Sequence, residues 1–599
     1  GEGVRWDFHM RKTKIVCTLG PASDSEERIA QLISAGMNVA RFNFSHGTHE
    51  SHRATFERIC RLRDQMGVPV ATLLDTKGPE IRLGLFKGGK ARLDAGSRFT
   101  LCTGECEGDS SHASITFPGL AADVKAGGTI LLNDGAIELR VAGVREGAIE
   151  CDVVNGGVIS DHKGVNVPGI HLSMPYVSER DRADIMFGAE MGFDFIAASF
   201  VRCADDILQI RQILERQGNE KIRIIAKIEN AEGVGNIDDI LRVSDGIMVA
   251  RGDMGVEVPF EEVPILQKML ISKCYNTGKM VITATQMLES MIHNPRPTRA
   301  EAADVANAIY DGTSAIMLSG ETAAGDYPIE AVSTMAQIAE RTERDINYQK
   351  RFFARSGERV PDITNAISHA TCTTAYDLGA AAIITVTWSG TTARMLSKFR
   401  PDIPIIACTH MPHTYHQLAL SWGVTPLLAD VKQSTDDLFA HAVERAQAAG
   451  FVRDGDIVVI TAGVPLGING TTNLLKVHVV GDILVSGQGV NGRCAFGRLC
   501  VARTGEEALA SFNDGDILVV PQTSNELLPI MKKASGIVTE RGGLNSHAAI
   551  VGMALDIPVI VFAENATSIL KSSTVVEIDA AAGTVSNRTR TERDGQKKG

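Results

Sequence analysis

Hydrophobic residues in the first 350 positions fall into short runs, separated by longer stretches with a helical repeat. Each run is apolar at most positions, which is typical of parallel strands buried on both faces. Intervening stretches such as SEERIAQLISAG place apolar residues on one helical face and charges on the other. The alternation predicts a (β/α)8 TIM barrel in an α/β chain. Its eight strand runs are 13–20, 37–44, 68–76, 193–200, 222–229, 245–253, 279–286 and 312–320.

The alternation is interrupted once, between the third and fourth runs. Residues 79–171 are rich in glycine and contain short β-like pieces such as GTILLNDG and AIELRVAG. A connection of this length requires a fold of its own. We predict an inserted small β-barrel domain that acts as a lid, with the catalytic barrel formed by 10–78 and 172–348.

Two further domains are predicted after the barrel. Residues 349–481 alternate strands and helices again, which indicates a doubly wound α/β regulatory domain. Residues 482–587 combine β runs with short helical pieces and are interpreted as an extra C-terminal α/β domain. The polar tail 588–599 is predicted to be disordered. Residues 1–9 (GEGVRWDFH) lack the features of a signal peptide, and we interpret them as a leader left from cloning.

Composition narrows the functional classes. The chain has 599 residues, 44% of them hydrophobic, and a net charge of −12. This charge disfavours a general nucleic-acid binder. No apolar run approaches the ~18 residues that span a bilayer, so no membrane partner is expected. The 11 cysteines are scattered without a CxxC pair, which indicates a reducing, cytoplasmic setting.

The predicted strands end in polar residues that packing does not require. In this type of barrel the catalytic groups project from the carboxyl ends of the strands. The candidates, in chain order, are Arg41, Asn43, Ser45, Asp75, Thr76, Lys227, Glu229, Asp253 and Thr285.

The stretch IIAKIEN (224–230) can be interpreted either as a structural ion pair or as part of a metal and phosphate site. Lys227 and Glu229 are two apart on a strand and point to the same face. A structural ion pair is the alternative interpretation, but such a pair contributes little stability when buried. Glu229 and Asp253, from neighbouring strands, suit Mg²⁺, which takes one or two carboxylates plus substrate oxygens. Lys227 and Arg41 supply charge for a phosphorylated anion.

Six segments resemble the signature motifs of the pyruvate kinase family, in that family's order and with its inserted domain in the same place. The resemblance extends from about residue 10 to 482. The segments are VARFNFSHG (39–47), LLDTKGPEIR (73–82), KGVNVPG (163–169), IIAKIEN (224–230), MVARGDMG (248–255) and ITATQMLES (282–290).

The resemblance implies transfer of a phosphoryl group from phosphoenolpyruvate to ADP, with Mg²⁺ (or Mn²⁺) and K⁺ as cofactors. It implies substrate contacts by Arg41, Lys227, Gly252, Asp253 and Thr285, of which Lys227, Thr285 and Arg41 are catalytic. The implied Mg²⁺ ligands are Glu229 and Asp253, and the implied K⁺ ligands are Asn43, Ser45, Asp75 and Thr76. The implied nucleotide contacts are Asn43, His46, Arg82 and Lys163.

Two details of this assignment have a chemical reason. The pKa of a threonine hydroxyl is too high for it to protonate an enolate alone, so we expect a water chain ending at Thr285. Glu80 resembles the residue of K⁺-dependent family members, whereas K⁺-independent ones have lysine there. A lysine's charge replaces that of the ion.

A second phosphate site is predicted in the regulatory domain. The strand in TVTWSGTTARMLSKFRP (385–401) leads into an apparent helix start, where exposed N–H groups favour an anion. The segment resembles the effector loop of regulated pyruvate kinases and implies contacts by Thr387, Ser389, Gly390, Thr391 and Thr392. Because the loop GVPLGING (463–470) lacks a basic residue, we favour a sugar or nucleotide monophosphate. A helix cap without a ligand is the alternative.

The last domain contains VTERGGLNSHAAIVGMALDIPVIV (538–561). It resembles the phosphohistidine domain of phosphoenolpyruvate-utilising enzymes, with His547 in the phosphorylated position. Asn545 stands where those enzymes commonly have threonine. The family resemblance also implies a homotetramer.

Three other functions were weighed. A dikinase working through His547 needs a nucleotide domain for which no chain remains. A lyase acting on a pyruvate enolate leaves Arg82, Lys163 and the inserted domain unused. A catalytically inactive sensor predicts damaged strand-end motifs, whereas these are intact. The lone match GQGVNG (487–492) is followed by a strand rather than a helix, so it does not indicate a dinucleotide site.

Overall fold

The computed structural model describes residues 10–355, 361–463 and 472–587. These residues form two compact units. The first comprises 10–355, 388–402 and 409–428, and the second comprises 361–387, 403–408, 429–463 and 472–587.

The first unit is built on a closed barrel of eight parallel strands. Each strand pairs with its neighbours in the chain, and the eighth closes the barrel against the first. The strands are β1 (Lys14–Thr18), β2 (Val39–Asn43), β3 (Ala71–Asp75), β4 (Phe195–Ala198), β5 (Arg223–Ile228), β6 (Gly246–Ala250), β7 (Met280–Ala284) and β8 (Ala315–Leu318). The predicted (β/α)8 barrel is therefore confirmed.

Helices between the strands begin and end at clear sequence signals. Ser25, Thr48 and Thr298 accept hydrogen bonds from the first turn of their helices, and glycines such as Gly67 and Gly312 end helices with positive φ. The helices of this unit are Glu26–Ala35, His49–Met66, Leu120–Asp123, Glu179–Met191, Ala204–Arg216, Ala231–Gly235, Ile237–Val243, Arg251–Glu257, Val263–Thr277, Arg299–Asp311, Gly320–Ala323, Pro328–Asp345, Tyr348–Ala354, Thr391–Lys398 and Pro412–Gln417.

The strands are apolar on both faces because two cores meet at them. Side chains such as Val16, Ile225 and Met248 fill the interior of the barrel. Their strand neighbours, such as Ile15 and Ile224, pack instead against the surrounding helices. The barrel interior is therefore filled by apolar side chains, and most of the charged groups lie toward the strand ends.

The inserted segment between β3 and β4 folds as sheets around a core that includes Phe99, Leu101 and Ile130. Its seven-stranded sheet runs in the order Ile81–Arg82, Gly164–Asn166, Thr129–Leu132, Ile137–Arg145, Ala148–Asn155, Arg98–Cys102 and His112–Ser114. A two-stranded sheet pairs Gly157–Ser160 with Lys90–Leu93. The first unit also contains the strand Val424–Leu428.

The second unit contains two groups of strands. In the first group, Ile405–Thr409, Ala382–Val386, Ile457–Ala462 and Leu474–Val479 lie side by side in that order. The second is an eight-stranded sheet in the order Ile483–Ser486, Thr584–Ser586, Val575–Asp579, Cys494–Val501, Ile517–Val520, Gly536–Thr539, Val559–Val561 and Gln488–Gly489. The unit's helices are Ile363–Leu378, Thr435–Ala448, Gly505–Ser511, Leu528–Met531, His547–Leu555 and Ala566–Ile569.

Among the helices in the described ranges, none combines the length and the apolar character needed to cross a lipid bilayer.

At the amino-terminal end of the barrel, Asp245 joins two strands to a helix. Its carboxylate lies 2.9 Å from Arg211 and 3.1 Å from Arg223, and it accepts a hydrogen bond from the backbone N–H of Ile224. Burial alone would raise the pKa of Asp245, but the two guanidinium groups outweigh it, so the pKa is lowered. Asp245 therefore fixes the start of β5 and β6.

We expect Asp245→Asn to lower the free energy of unfolding by about 2 kcal/mol at pH 7, because two partly buried arginines lose their carboxylate. A group with a lowered pKa in the folded state stabilises above its unfolded-state pKa, about 4 for aspartate, and loses this effect as pH falls through the folded value. The difference between variant and wild type should therefore be full at pH 7 and shrink below about pH 4. Thermal denaturation between pH 3.5 and 7 measures it.

Asp239→Asn is the matched control, since Asp239 pairs with Arg242 at a largely exposed site. It should cost less than about 0.5 kcal/mol. Equal effects of the two substitutions would contradict the role given to Asp245.

Candidate active site

The ends of β2 and β3 bring the first predicted residues together. Arg41 Nε lies 2.7 Å from Asp75 Oδ2, and Arg41 Nη1 donates to Thr18 Oγ1 at 2.9 Å. Asp75 is almost fully buried. Burial raises the pKa of its carboxyl, but Arg41 and Lys227 outweigh burial, so the pKa of Asp75 is lowered. This part of the site holds a buried carboxylate between two cations.

Lys227 lies at the centre of the cluster. Its Nζ is 3.0 Å from Asp75 Oδ1, 3.0 Å from Ser199 Oγ and 3.4 Å from Glu229 Oε1. Burial lowers the pKa of Lys227, but the charges of Asp75 and Glu229 outweigh it, so the pKa is raised. Lys227 therefore keeps a fixed positive charge at the carboxyl end of the barrel.

Two carboxyl groups face each other at the ends of β5 and β6. Glu229 is 2% exposed and accepts a hydrogen bond of 2.6 Å from the backbone N–H of Phe200. Burial and the neighbouring Asp253 raise the pKa of Glu229 to about 7, although Lys227 opposes them. Burial likewise raises the pKa of Asp253, which hydrogen-bonds to Glu229.

This carboxyl pair fits a hard divalent cation. Two adjacent carboxylates repel each other, and an ion between them relieves the repulsion. Among the described residues, no group of three or more His, Cys, Asp or Glu side chains converges as a metal site. Two protein carboxylates plus substrate oxygens form the ligand set that Mg²⁺ typically takes.

Thr285 lies just beyond β7 in a conformation that threonine rarely adopts. Its φ is +77°, and that of Gln286 is +56°. A Cβ added at Gly252 would lie 2.7 Å from Thr285 Cγ2, so only glycine allows this close approach. The start of helix Arg251–Glu257 and the end of β7 thus pack directly against each other.

The predicted monovalent-cation residues also lie together. Asn43 and Asp75 are paired across β2 and β3, and Ser45 donates its N–H to Asn43 Oδ1 at 3.1 Å. Thr76 follows directly, with its hydroxyl donating to Ala197 O at 3.3 Å. These oxygens share one corner of the barrel, next to Arg41. Their donor chemistry fits an alkali cation.

A cleft of about 260 Å³ lies beside the carboxyl pair. Arg82, Lys163 and Asp253 line it, together with Glu80. Arg82 Nη2 is 2.8 Å from Glu80 Oε2. His46 is exposed and, like Asn43, is not among the lining residues of this cleft. Of the four predicted nucleotide contacts, Arg82 and Lys163 thus line the cleft, whereas Asn43 lies at the end of β2, paired with Asp75.

Sequence reasoning missed Ser199. Its hydroxyl lies 3.1 Å from Asp75 Oδ1 and 2.6 Å from the carbonyl of Thr76. Ser199 follows β4 directly, so the rule that selected the other strand-end residues applies to it as well. It ties the ends of β3, β4 and β5 together.

The predicted effector segment joins a strand to a helix start. Ser389 Oγ lies 2.9 Å from Thr391 Oγ1, and Gly390 has a φ of +85°. Helix Thr391–Lys398 begins here, as expected. Thr387 follows the strand Ala382–Val386 of the second unit. Of the loop 463–470, all but residue 463 lies outside the described residues.

His547 begins helix His547–Leu555 in the second unit. Its Nδ1 is 2.8 Å from Thr523 Oγ1, and its Nε2 is 3.0 Å from Asn525 Oδ1. Both ring nitrogens therefore have hydrogen-bond partners.

Comparisons with known proteins agree with this geometry. Residues 10–332 match the pyruvate kinase barrel domain, and residues 365–478 match the pyruvate kinase alpha/beta domain. The chain belongs to the pyruvate kinase family. Residues 512–583 match the mobile domain of phosphoenolpyruvate-utilising enzymes.

Similar proteins extend over nearly the whole chain. A pyruvate kinase of Geobacillus stearothermophilus is 53% identical over 96% of this chain and 98% of its own, and one of Bacillus licheniformis is 52% identical over 96% and 99%. A crystal structure of a pyruvate kinase from Cryptosporidium parvum is 40% identical, with a TM-score of 0.75 over 79% of this chain and 96% of that one. The enzyme transfers a phosphoryl group from phosphoenolpyruvate to ADP, giving pyruvate and ATP.

Proposed function

We propose that the cluster at the carboxyl ends of β2 to β7 carries out this transfer directly from phosphoenolpyruvate to ADP. The observation that supports it best is Lys227, whose Nζ is buried 3.0 Å from Asp75 and 3.4 Å from Glu229. Phosphoryl transfer depends mostly on positioning and on charges aimed at the transferring group. Because the Lys227 ammonium is held in place before the substrate binds, it can stabilise the transferring phosphoryl group without a rearrangement of the site.

Arg41 and Lys227 bind the phosphate of phosphoenolpyruvate, and Gly252, Asp253 and Thr285 hold its carboxylate end. The enolate left after transfer takes a proton at carbon through water that ends at the Thr285 hydroxyl. Arg82 and Lys163, in the neighbouring cleft, bind the phosphates of ADP with His46 and Asn43. In this proposal the inserted domain closes over the nucleotide and excludes water.

Glu229 and Asp253 hold Mg²⁺, with Mn²⁺ as a substitute. When bound, the ion neutralises charge on the transferring phosphoryl oxygens. The raised pKa values of both carboxyls, caused mainly by burial, support the assignment, because an ion would compensate the charges that burial disfavours. Asn43, Ser45, Asp75 and Thr76 hold K⁺ beside Arg41.

Regulation and assembly extend the proposal. Ser389, Gly390, Thr391 and Thr392, with Thr387, bind a sugar or nucleotide monophosphate. The enzyme works in the cytoplasm as a homotetramer, binding neither nucleic acid nor a membrane. The 11 cysteines all lie in the described ranges and are free thiols, which supports a reducing compartment.

Lys227→Met should fold normally and lose turnover by about 10²- to 10³-fold, because removing one preorganised transition-state charge costs about 3 to 4 kcal/mol. A coupled assay of pyruvate formation at saturating substrates measures the loss.

The matched control is Lys279→Met. Lys279 precedes β7 at the opposite end of the barrel, where its Nζ donates to the carbonyl of Ser244 at 2.7 Å. It should keep turnover within about threefold. A Lys227→Met enzyme with more than a tenth of wild-type turnover would refute the role of Lys227.

Activity should require K⁺, and Glu80→Lys should weaken this requirement, because a lysine ammonium replaces the charge of the ion. Glu80 sits between Lys77 Nζ, at 3.1 Å, and Arg82 Nη2, at 2.8 Å. Turnover is measured with KCl and with tetramethylammonium chloride at the same ionic strength.

The ratio of the two rates should fall at least tenfold in the variant. Full wild-type activity without K⁺ or Na⁺ would show that the four oxygens do not hold a required ion.

His547→Ala should turn over within about threefold of wild type, because every group that the proposed transfer uses lies on the barrel or the inserted domain. Wild-type enzyme incubated with labelled phosphoenolpyruvate should also yield no acid-labile, alkali-stable phosphoprotein. Loss of pyruvate formation in a folded His547→Ala enzyme would replace direct transfer by a phosphohistidine relay.

A further inference from the structure

Arg251 hydrogen-bonds to the backbone of the segment that carries Thr285. Its Nη2 donates to the carbonyl of Thr285 at 2.6 Å, and its Nε donates to the carbonyl of Ala284 at 3.1 Å. Ala284 is the last residue of β7, so the two contacts span the end of that strand. One planar guanidinium thus fixes two successive peptide groups.

The guanidinium is itself anchored. Arg251 Nη1 lies 2.6 Å from Asp304 Oδ1 in helix Arg299–Asp311, and the Arg251 side chain is only 13% exposed. The same nitrogen lies 3.4 Å from Gln267 Oε1 in helix Val263–Thr277. Because both helices pack on the barrel, Arg251 connects the end of β7 to the rigid outer layer.

The segment needs such an anchor. A β-branched residue with a φ of +77° is a conformational outlier that costs about 1 to 3 kcal/mol, and it persists only where surrounding contacts determine it. The Thr285 methyl packs against Gly252 on one side, and the Thr285 carbonyl is held by Arg251 on the other. Together these contacts fix the direction of the Thr285 hydroxyl.

We propose that Arg251 is a positioning residue for proton delivery, holding the strained Thr285 so that its hydroxyl is aligned with the enolate carbon. The inference rests on the proton-relay role proposed for Thr285. Arg251 does not touch the substrate in this scheme. It acts through the backbone of residues 284 and 285, and its Nη2 also lies 2.9 Å from Met287 Sδ in the same segment.

The step that it serves is a proton transfer to carbon. After the phosphoryl group has left, the electron pair of the enolate C2–C3 double bond forms a C3–H bond, and C2–O becomes the ketone of pyruvate. The proton leaves the hydroxyl–water chain, which regains one from solvent. Misalignment by about 1 Å slows such a step by about 100-fold, whereas phosphoryl transfer uses other groups.

The test separates the two steps. Exchange of the pyruvate methyl protons for deuterium in D₂O, with Mg²⁺, K⁺ and ATP present, reports protonation and its reverse by NMR. We expect Arg251→Met to slow this exchange about 100-fold while ATP formation at saturating phosphoenolpyruvate falls less than about tenfold. Arg251→Lys, which keeps one donor, should recover part of the exchange rate.

Asp304→Asn provides an independent variant if Arg251→Met folds poorly. It leaves the arginine in place and weakens its anchor, so exchange should fall about tenfold. Arg211→Met is the matched control, because Arg211 also donates to a backbone carbonyl, that of Val243, and to a carboxylate, that of Asp245, at the other end of the barrel. Its ratio of exchange to ATP formation should stay within twofold of wild type.

Four outcomes overturn the inference. Equal losses of exchange and ATP formation in Arg251→Met indicate a general structural role. A rise of more than threefold in the Mg²⁺ concentration for half-saturation indicates an effect through Asp253. If Thr285→Ala slows exchange and Arg251→Met does not, Arg251 is not the positioning residue. If Thr285→Ala exchanges as fast as wild type, the role proposed for Thr285 fails, and the inference fails with it.

A double-mutant cycle gives the final check. If Arg251 acts through Thr285, the variant carrying both Arg251→Met and Thr285→Ala should exchange within about threefold of Thr285→Ala alone. Additive losses would mean that the two residues act independently.

Discussion

The buried ammonium of Lys227 is the constraint on which the rest of the barrel's carboxyl end depends. Removing such a charge from water costs several kcal/mol unless opposite charges and hydrogen bonds replace the solvent. Asp75, Ser199 and Glu229 supply these contacts within 3.4 Å. They follow or end β3, β4 and β5, three neighbouring strands, so the charge is compensated only when these strands pair in this order. The order of these three strands therefore also assembles this part of the site.

The two ends of the barrel treat charge in opposite ways. At the amino-terminal end, Asp245 meets Arg211 and Arg223, and its lowered pKa shows that the negative charge is well compensated. At the carboxyl end, Glu229 and Asp253 lie together, and both of their pKa values are raised. The first arrangement stabilises the protein without a ligand. A divalent cation bound between the two carboxyls would relieve the second and would link a local cost in stability to binding.

Much of this site was predictable from the sequence, because the repeat of apolar residues identifies each strand and the side chains of alternate strand residues share a face. Eight apolar runs gave the barrel, and the spacing of Lys227 and Glu229 placed both on one face, where they lie 3.4 Å apart. Ser199 could also have been predicted, because it is a polar residue that directly follows a barrel strand. The contact of Arg251 with Asp304 could not have been predicted in this way. The two residues are 53 positions apart, and they meet only because of the orientation of a helix on the barrel. The positive φ of Thr285 is likewise set by tertiary contacts and has no signal in the residue type.

The C-terminal domain carries a motif like that of phosphohistidine domains, but the hydrogen bonds of its histidine do not favour phosphorylation. A histidine attacks phosphorus through an unprotonated ring nitrogen. In this domain His547 Nε2 lies 3.0 Å from Asn525 Oδ1, and Nδ1 lies 2.8 Å from Thr523 Oγ1, so both ring nitrogens are engaged in hydrogen bonds. In this arrangement an incoming phosphoryl group would have to displace one of these two partners. Phosphorylation would require Asn525 or Thr523 to release the ring, whereas Lys227 and Arg41 are already held in place by Asp75 at the carboxyl end of the barrel. Direct transfer on the barrel therefore requires no rearrangement of these side chains, whereas transfer through His547 requires one of its hydrogen bonds to break first.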